Sequence, residues 1–217
     1  MQRVEWMRWA ALSGTIAYDD NKVVFSVTTG VTAAHSTSLA KTGTAAWSDT
    51  ASTPLNDIAT WQELMLEDTG RVATRMYVGL DVPQWLMQNA AIRALFVCND
   101  RMAQLLNTKT VLDFIGVITG LEIARNYTSY QTAAGVQTFF LGRDKVLLLP
   151  DPAQADGETL GSVLTGPAKA NNYQTGLYGW VREEEDPWAT FAGAGIHAFP
   201  ALTHPEWVIY VDVDDDQ

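Results

Sequence analysis

The chain has 217 residues, of which 47% are hydrophobic, and its formal net charge is −11. This length and apolar fraction suit a globular protein with a substantial core, while a single cysteine, Cys98, excludes an intrachain disulfide framework and a cysteine-based zinc site. Scattered Lys and Arg residues exclude a surface built to bind phosphates, and no apolar run approaches the roughly eighteen residues of a membrane span.

The N-terminal quarter of the chain changes character twice. Residues 3–13 form a short amphipathic segment that ends at Gly14, and the following residues alternate as a β-hairpin around the polar turn at 19–22. Residues 28–53 then consist almost wholly of Thr, Ser, Ala and Gly. Such a stretch buries little of itself, so we expect it to be disordered or ordered by another molecule.

Helix signals follow. The N-cap and first-turn pattern at 53–54, with apolar residues at three- and four-residue spacing, predicts a helix that ends at Gly70. Residues 71–80 then alternate as a strand. Asp81 is the predicted cap of a second helix over 82–96.

The second half of the chain is mainly β after one more helix. That third helix is predicted from Thr110 to Gly120, with Asp113 at the capping-box position. Strand patterns follow at 121–131, 136–142, 145–151, 176–185 and 207–213. The continuous apolar run at 145–151 (KVLLLPD) is typical of a strand buried on both faces. The predicted fold class is α+β, without internal repeats.

The sequence contains no pattern of a common hydrolase, nucleotide site or metal site. Gly193 and Gly195 lack the third glycine and the following helix of a phosphate loop. The acidic tail at 212–217 lacks the glycine and the distant glutamate of a calcium loop, so we expect a solvated tail. His197 and His204 lack partners for metal binding. We therefore predict no metal, no cofactor and no enzymatic activity.

An acidic run, EEED at 183–186, lies between Trp180 and Trp188. In a glycosidase two carboxyl groups flank the scissile bond from opposite sides, whereas neighbours on one strand point to opposite faces of the sheet. The spacing therefore favours a structural edge whose charges face water or meet cations.

Several segments occur in a characteristic order. They are TPLNDIATW at 53–61, the strand RMYVG, LEIARNYTSYQ with FFLGRDKVLLLPD, then LGSVLTGP, YGWVREEEDPWA and the closing HPEWVIYVDV. This order resembles the phage major capsid protein E family, the lambda-type shell proteins with the HK-97-like fold. The similarity covers nearly the whole chain from Arg3.

The resemblance implies an HK-97-like subunit with a peripheral domain, an axial domain and an extended loop. The extended loop would lie within residues 1–52, the peripheral domain within 53–130 around the helix at 54–69, and the axial domain with returning peripheral strands within 131–217. Subunits of the family carry an N-terminal arm ahead of the position of Arg3, and we expect this sequence to lack it.

The resemblance also implies a structural function rather than catalysis. Copies of the chain would assemble as pentamers and hexamers into the icosahedral head shell that encloses the phage genome, without specific DNA binding and without a membrane. A decoration protein, a scaffold and a portal would be further partners. The protein would be located in the virion after assembly in the host bacterial cytoplasm.

Exposed aromatic and charged side chains are the expected means of subunit contact. Aromatic residues of the N-terminal segment would anchor it on a neighbouring subunit, and the acidic run would face arginines, with Trp180 and Trp188 packed on their own domain. The candidate interface residues are Tyr18, Phe25, Trp47, Arg71, Arg75, Arg182, Glu183, Glu184, Asp186 and Trp188.

Two other classes of function stay open on the residues alone. A Trp-rich carbohydrate-binding or decoration module of a virion would stack exposed aromatic rings on sugars. A hydrolase would use the acids at 183–186. Glycan binding by a stable monomer would favour the first class, and glycoside turnover that disappears in Glu184→Gln would favour the second.

Overall fold

The computed structural model describes residues 2–19, 24–96, 107–131, 135–151, 157–185 and 188–215. The predictions for Cys98, for the turn after Asp19 and for Asp186 lie outside these residues. The helices are α1 (Gln2–Leu12), α2 (Pro54–Thr69), α3 (Val82–Gln88), α4 (Ala90–Phe96) and α5 (Thr108–Thr119). The strands are β1 (Thr15–Asp19), β2 (Val24–Thr28), β3 (Ala73–Val78), β4 (Glu122–Arg125), β5 (Ser129–Gln131), β6 (Gln137–Phe139), β7 (Lys145–Pro150), β8 (Gly161–Thr165), β9 (Leu177–Glu185), β10 (Trp188–Ile196), β11 (Ala198–Leu202) and β12 (Ile209–Asp212). The predicted α+β class is confirmed.

A four-stranded sheet in the order β12-β7-β3-β4 forms the centre of the molecule. β3 is parallel to β4 and antiparallel to β7, and β7 is antiparallel to β12. The predicted strand at 145–151 is confirmed as β7, whose residues 146–150 are all buried. A strand that is buried on both faces needs a layer of structure on each side.

Helices form the layer on one face of this sheet. α2 ends at Gly70, as predicted, because glycine adopts the left-handed φ of 67° and its amide bonds to the Leu66 carbonyl at 2.8 Å. The buried side of α2 joins α3, α5 and the inner strand residues in one apolar cluster. Central members of the cluster are Ile58, Trp61, Met65, Met76, Leu86, Ile115, Val146 and Leu148.

The N-terminal helix and the β8–β11 strand pair contribute to the opposite layer. Leu147 and Leu149 alternate to this face of β7 and pack in a second cluster with Trp9, Tyr77 and Leu202. The ring of Trp9 meets that of Tyr77 edge-on at 5.6 Å, and α1 packs along β11. The segment predicted at 3–13 is thus a helix that completes the core.

The Thr-, Ser- and Ala-rich segment before α2 is ordered on the chain's own body, so the expectation that it needs another molecule is wrong. The amides of Lys41 and Trp47 donate to the carbonyls of Asp212 at 2.9 Å and Val213 at 2.8 Å. The Trp47 indole is 1% exposed and stacks on Trp61 with 5.5 Å between ring centroids. Because Trp47 is a core residue, its predicted role as an anchor on a neighbouring subunit is also wrong.

An aspartate in the first turn of α2 holds this segment in place. Asp57 accepts hydrogen bonds from Lys41 Nζ at 2.6 Å and from Trp47 Nε1 at 2.9 Å. The same ammonium lies 5.9 Å from the Trp61 ring centroid. Asp57 therefore joins the loop to the helix, in addition to the charge it places near the positive end of α2.

The helix predicted over 82–96 is interrupted at Asn89. This residue is fully buried, its amide nitrogen donates to the Ser52 carbonyl at 2.8 Å, and its Oδ1 accepts a backbone amide of α4. Its extended ψ of 130° ends α3. Asp81 was predicted to cap α3, and this prediction is wrong for its side chain, which accepts no hydrogen bond from the first turn of the helix. The Asp81 carboxylate instead pairs with Arg143 at 2.7 Å.

The start of α5 also differs from the prediction. The Asn107 side chain accepts the Thr110 amide at 2.8 Å, so the helix begins at Thr108 and its cap is Asn107. Asp113 is therefore exposed in the helix body and is not part of a capping box. The predicted end of the helix at Gly120 is confirmed by its left-handed φ of 71°.

The acidic residues 212–214 are built into the fold, so the predicted solvated tail is wrong for them, while Asp215 is exposed. Asp212 pairs with Lys145 on β7. Asp214 is 3% exposed and accepts a hydrogen bond from Ser48 Oγ at 2.9 Å. These bonds tie the chain end to the sheet and to the segment before α2.

Burial and charge shift two pKa values at this edge of the sheet. Burial acts to lower the pKa of Lys145, but hydrogen bonds with Asp212 and Asp144 outweigh it and raise that pKa. Burial raises the pKa of the Tyr210 phenol on β12 to about 12, because the ionised phenolate is poorly solvated there.

Removal of the Asp57 carboxylate should destabilise the protein. Asp57→Ala leaves the Lys41 ammonium and the Trp47 N–H without their acceptor in a largely buried site, so the free energy of unfolding should fall by about 2–4 kcal/mol. Denaturant titration followed by circular dichroism measures the change. Asp113→Ala, at an exposed position of α5, is the matched control and should cost less than about 0.5 kcal/mol. Equal effects of the two substitutions would contradict the role of Asp57.

Stability should fall between about pH 10 and about pH 12 because of Tyr210. In the unfolded chain the phenol ionises near about pH 10, whereas in the folded chain it stays protonated up to about 12. The folded state therefore binds more protons in this window, and the free energy of unfolding decreases as pH rises. Tyr210→Phe should remove about 2 kcal/mol of the loss between about pH 9 and about pH 11.5. The contribution of Lys145 is present both in the unsubstituted chain and in the Tyr210→Phe variant. If the free energy of unfolding falls with pH at the same slope in both, the Tyr210 effect is excluded.

Candidate assembly surface

Several strand pairs lie outside the central sheet. β1 pairs with β2, β5 with β6, β8 with β11 and β9 with β10, each as a two-stranded antiparallel sheet. An isolated two-stranded sheet is marginally stable in water, because it cannot cover both of its own faces. β9 and β10 have nine residues each, so they form the most extensive of these pairs.

β9 and β10 pair in register from Leu177 with Ile196 to Glu185 with Trp188, and partners across the pair share a face. We call one face the bare face. It contains Leu177, Gly179, Val181 and Glu183 of β9 with Trp188, Thr190, Ala192, Ala194 and Ile196 of β10. We call the other face the covered face. It contains Tyr178, Trp180, Arg182 and Glu184 of β9 with Ala189, Phe191, Gly193 and Gly195 of β10.

Aromatic rings lie over glycines on the covered face. A Cβ atom on Gly193 would lie 2.5 Å from the Trp180 ring, and one on Gly195 would lie 2.8 Å from the Tyr178 ring. Each glycine is the cross-strand partner of the aromatic residue above it. Only glycine leaves room for such a ring, so Tyr178 and Trp180 cover the backbone of the opposite strand, although Trp180 and Phe191 remain 45% and 48% exposed on this face.

The bare face presents apolar side chains to the outside. Leu177 is 76% exposed, Val181 69%, Ile196 45% and Trp188 86%. The 3₁₀ turn at Lys169–Asn171 packs beside β9 at the end of the hairpin near Leu177. A contiguous group of exposed apolar side chains is typical of a contact site for another molecule.

The predicted aromatic anchors differ in their placement. Tyr18 lies on β1, with its side chain outside the described residues. Phe25 on β2 is half-buried and its ring lies 6.4 Å from that of Phe199. Trp180 and Trp188 were expected to pack on their own domain, but Trp188 extends from the bare face and Trp180 is 45% exposed. The packing prediction for Trp188 is therefore wrong.

The predicted arginines have carboxylate partners within the chain. Arg71, Arg75 and Arg182 pair with Glu158 at 3.1 Å, Glu122 at 3.3 Å and Glu184 at 2.6 Å, respectively. The structure thus brings Arg182 to the acidic run but places the other two arginines elsewhere. Glu183 is exposed on the bare face, and no ion pair involves it within the described part of the chain.

Sequence reasoning missed the aliphatic residues of the bare face, chiefly Leu177, Val181 and Ile196. The signal was present in LYGWV and FAGAGI, where apolar residues alternate with glycines on both paired strands. In a two-stranded sheet such alternation separates one face with bulky aromatic rings from one with aliphatic and small side chains.

Within the described residues, the histidines and acids form no metal site. His204 contacts Glu206 at 2.9 Å, and His197 contacts the Pro167 carbonyl at 3.2 Å. Across the described ranges, no three His, Cys, Asp or Glu side chains are grouped so that they could hold a metal ion. In those same ranges no helix combines the length and the apolar character needed to cross a bilayer.

Comparison with known proteins identifies the family. The family "Phage major capsid protein E" matches residues 1–189. The chain belongs to this family. No curated protein matches it. The resemblance found from the order of sequence segments is confirmed.

Solved structures of phage-related proteins share the fold of this capsid-family chain. A protein assigned as a prophage capsid protein of Escherichia coli CFT073 superposes with a TM-score of 0.68 at 18% identity, covering 97% of this chain and 62% of its own. A phage-related protein of Bordetella bronchiseptica RB50 superposes with a TM-score of 0.57 at 15% identity, covering 91% and 59%. At these identities the likeness establishes the fold, and the chain spans about three fifths of each of these proteins.

Substitution of Trp188 should leave the stability of the isolated subunit unchanged. Because this ring is 86% exposed, Trp188→Ser should change the free energy of unfolding by less than about 0.5 kcal/mol. Trp61→Ser, the same substitution at a site that is 1% exposed, should cost at least about 3 kcal/mol. Denaturant unfolding at low protein concentration measures both without a contribution from association. A large loss in Trp188→Ser would show that the ring packs on its own chain.

Proposed function

We propose that this chain is a structural subunit that assembles with copies of itself into the icosahedral head shell of a phage. The observation that carries the proposal is the bare face, an apolar sheet surface left exposed on a member of the phage major capsid protein E family. Burial of such a surface between subunits removes apolar atoms from water, which is the main favourable contribution to protein association.

The likeness to phage-related structures supports an HK-97-like subunit with a peripheral domain, an axial domain and an extended loop. Our candidate for the extended loop is the β1–β2 hairpin, since the segment between β2 and α2 packs on the body of the chain. Residues 53–130 and 131–217 both contribute strands to the central sheet. The assignment of these two ranges to peripheral-type and axial-type domains stays a prediction.

The proposed assembly consists of pentamers and hexamers, with a decoration protein, a scaffold and a portal as further partners. It forms in the host bacterial cytoplasm and becomes part of the virion. The net charge of −11 supports a wall that encloses DNA without specific binding, because like charges repel. This role requires no catalysis.

A carbohydrate-binding or decoration module remains the second candidate, because the exposed ring of Trp188 could stack on a sugar. Sugar sites combine such rings with several polar side chains that orient the hydroxyl groups. On the bare face the pair next to Trp188 is Thr190 with Glu183, and the pairs beyond it, from Val181 with Ala192 to Leu177 with Ile196, are aliphatic or small. That composition favours contact with protein.

The purified chain should form rings or closed particles as its concentration rises. Size-exclusion chromatography with light scattering measures the mass, and electron microscopy shows the particles. Val181→Asp should weaken association at least about ten-fold, because it places a charge in the apolar contact. Val72→Asp, at another exposed valine, is the matched control and should associate normally.

Linear DNA added to the protein at moderate salt should migrate unshifted in a gel, because the proposed wall encloses DNA without binding it.

A monomer at every concentration would contradict the proposed function. Glycan binding by that monomer, lost in Trp188→Ser, would favour the second candidate instead.

A further inference from the structure

We infer that the bare face of β9–β10 packs against the bare face of a second copy, with the strands of the two hairpins antiparallel. The two-fold axis that relates the copies lies between the two facing sheets and runs across the strands at Gly179 and Ala194. This inference rests on the proposed function, because it specifies one of the contacts through which copies of the chain would associate. Three properties of the hairpin support it: the distribution of side-chain size, the distribution of charge and the difference between its two faces.

Side-chain size on the bare face has a minimum at the Gly179–Ala194 pair. This pair has almost no bulk, whereas the pairs on either side of it, Leu177 with Ile196 and Val181 with Ala192, are larger. A two-fold axis through the small pair places Leu177 and Ile196 of one copy over Val181 and Ala192 of the other. Apolar side chains then interdigitate around a centre where the two backbones can approach closely.

Charge on and beside the bare face is complementary in this arrangement. Glu183 lies four residues from Gly179 towards the tip, and Thr175 lies four residues from it in the other direction. A bridge between Thr175 and Pro167 holds the turn that begins at Lys169 close to that position. The axis therefore brings Glu183 of each copy towards Lys169 of the other.

Both members of this proposed pair are available. Glu183 and Lys169 are exposed, and neither forms an ion pair within the described residues. A parallel arrangement of the two hairpins would instead place Glu183 of one copy near Glu183 of the other, where like charges repel. Charge thus favours the antiparallel arrangement over the parallel one.

The covered face is a poorer candidate for the same contact. Tyr178 and Trp180 already lie over glycines of the neighbouring strand, and Arg182 is already paired with Glu184. Phe191 and Trp180 are also partly exposed there, at 48% and 45%, but a partner on this face has to accommodate the rings and the ion pair that the hairpin has already formed. On the bare face nothing formed within the hairpin needs to be displaced, so association costs less there.

Cross-linking tests the arrangement directly. In a Cys98→Ser background, Ala194→Cys places a thiol at the proposed two-fold axis, where it faces the same thiol of the second copy. Facing sheets lie about 10 Å apart, so a short bis-maleimide is the suitable reagent. We expect covalent dimers at a yield at least about ten-fold above that of Ala189→Cys. This matched control is the same substitution on the same strand but on the covered face.

Charge reversal gives a second readout that does not depend on cysteine. Glu183→Lys and Lys169→Glu should each weaken dimerisation in size-exclusion chromatography by about five-fold, because two symmetric pairs become repulsive. The double variant should recover the original dimerisation. Glu184→Lys, which changes a charge on the covered face, should have little effect.

The outcomes separate this inference from the proposed function. Particles that form while Ala194→Cys and Ala189→Cys cross-link equally, or not at all, would overturn the two-fold contact and leave the shell function intact. The same is true if the double charge reversal fails to recover association. If the unsubstituted chain stays monomeric at every concentration, the proposed function fails together with this contact.

Discussion

The burial of β7 on both faces is the constraint on which the rest of the fold depends. Its run of apolar residues at 146–150 alternates between two clusters, and neither face can be left to solvent. The helices after residue 53 supply one layer, and α1 with the β8–β11 pair contributes to the other. These two layers use most of the large apolar side chains in the regular elements. The β9–β10 hairpin lies outside both layers, and its own rings cover only part of one of its faces.

Local patterns in the sequence predicted the regular elements well. The helix that ends at Gly70, the N-terminal hairpin and the strand at 145–151 all appear in the structure, because periodicity and glycine conformations act over a few residues. Errors occurred where a distant partner decided the conformation. Asn89 breaks a helix since its side chain reaches Ser52, and Trp47 is buried since its amide pairs with a carbonyl near the C terminus. Composition alone does not reveal such long-range bonds.

The candidate surface was predicted less completely than the fold. The acidic run and the tryptophans of the sequence directed attention to the β9–β10 hairpin, but the emphasis on charge did not identify its exposed aliphatic residues. Arg182 and Glu184 lie two residues apart on one strand and so satisfy each other on one face. The aliphatic residues on the opposite face were overlooked because aromatic, polar or small residues lie between them along the chain. Their contiguity arises only when the register of β9 with β10 is known.

The two faces of the hairpin have complementary roles in association. A free two-stranded sheet pays a large entropic cost if it must become ordered at the moment of binding. Here the rings of Tyr178 and Trp180 over Gly195 and Gly193 order the hairpin within the single subunit. The opposite face is thereby presented in a defined shape before a partner arrives. In a chain of net charge −11, where copies repel at long range, a preformed apolar surface with few charges is an effective way to favour contact at short range.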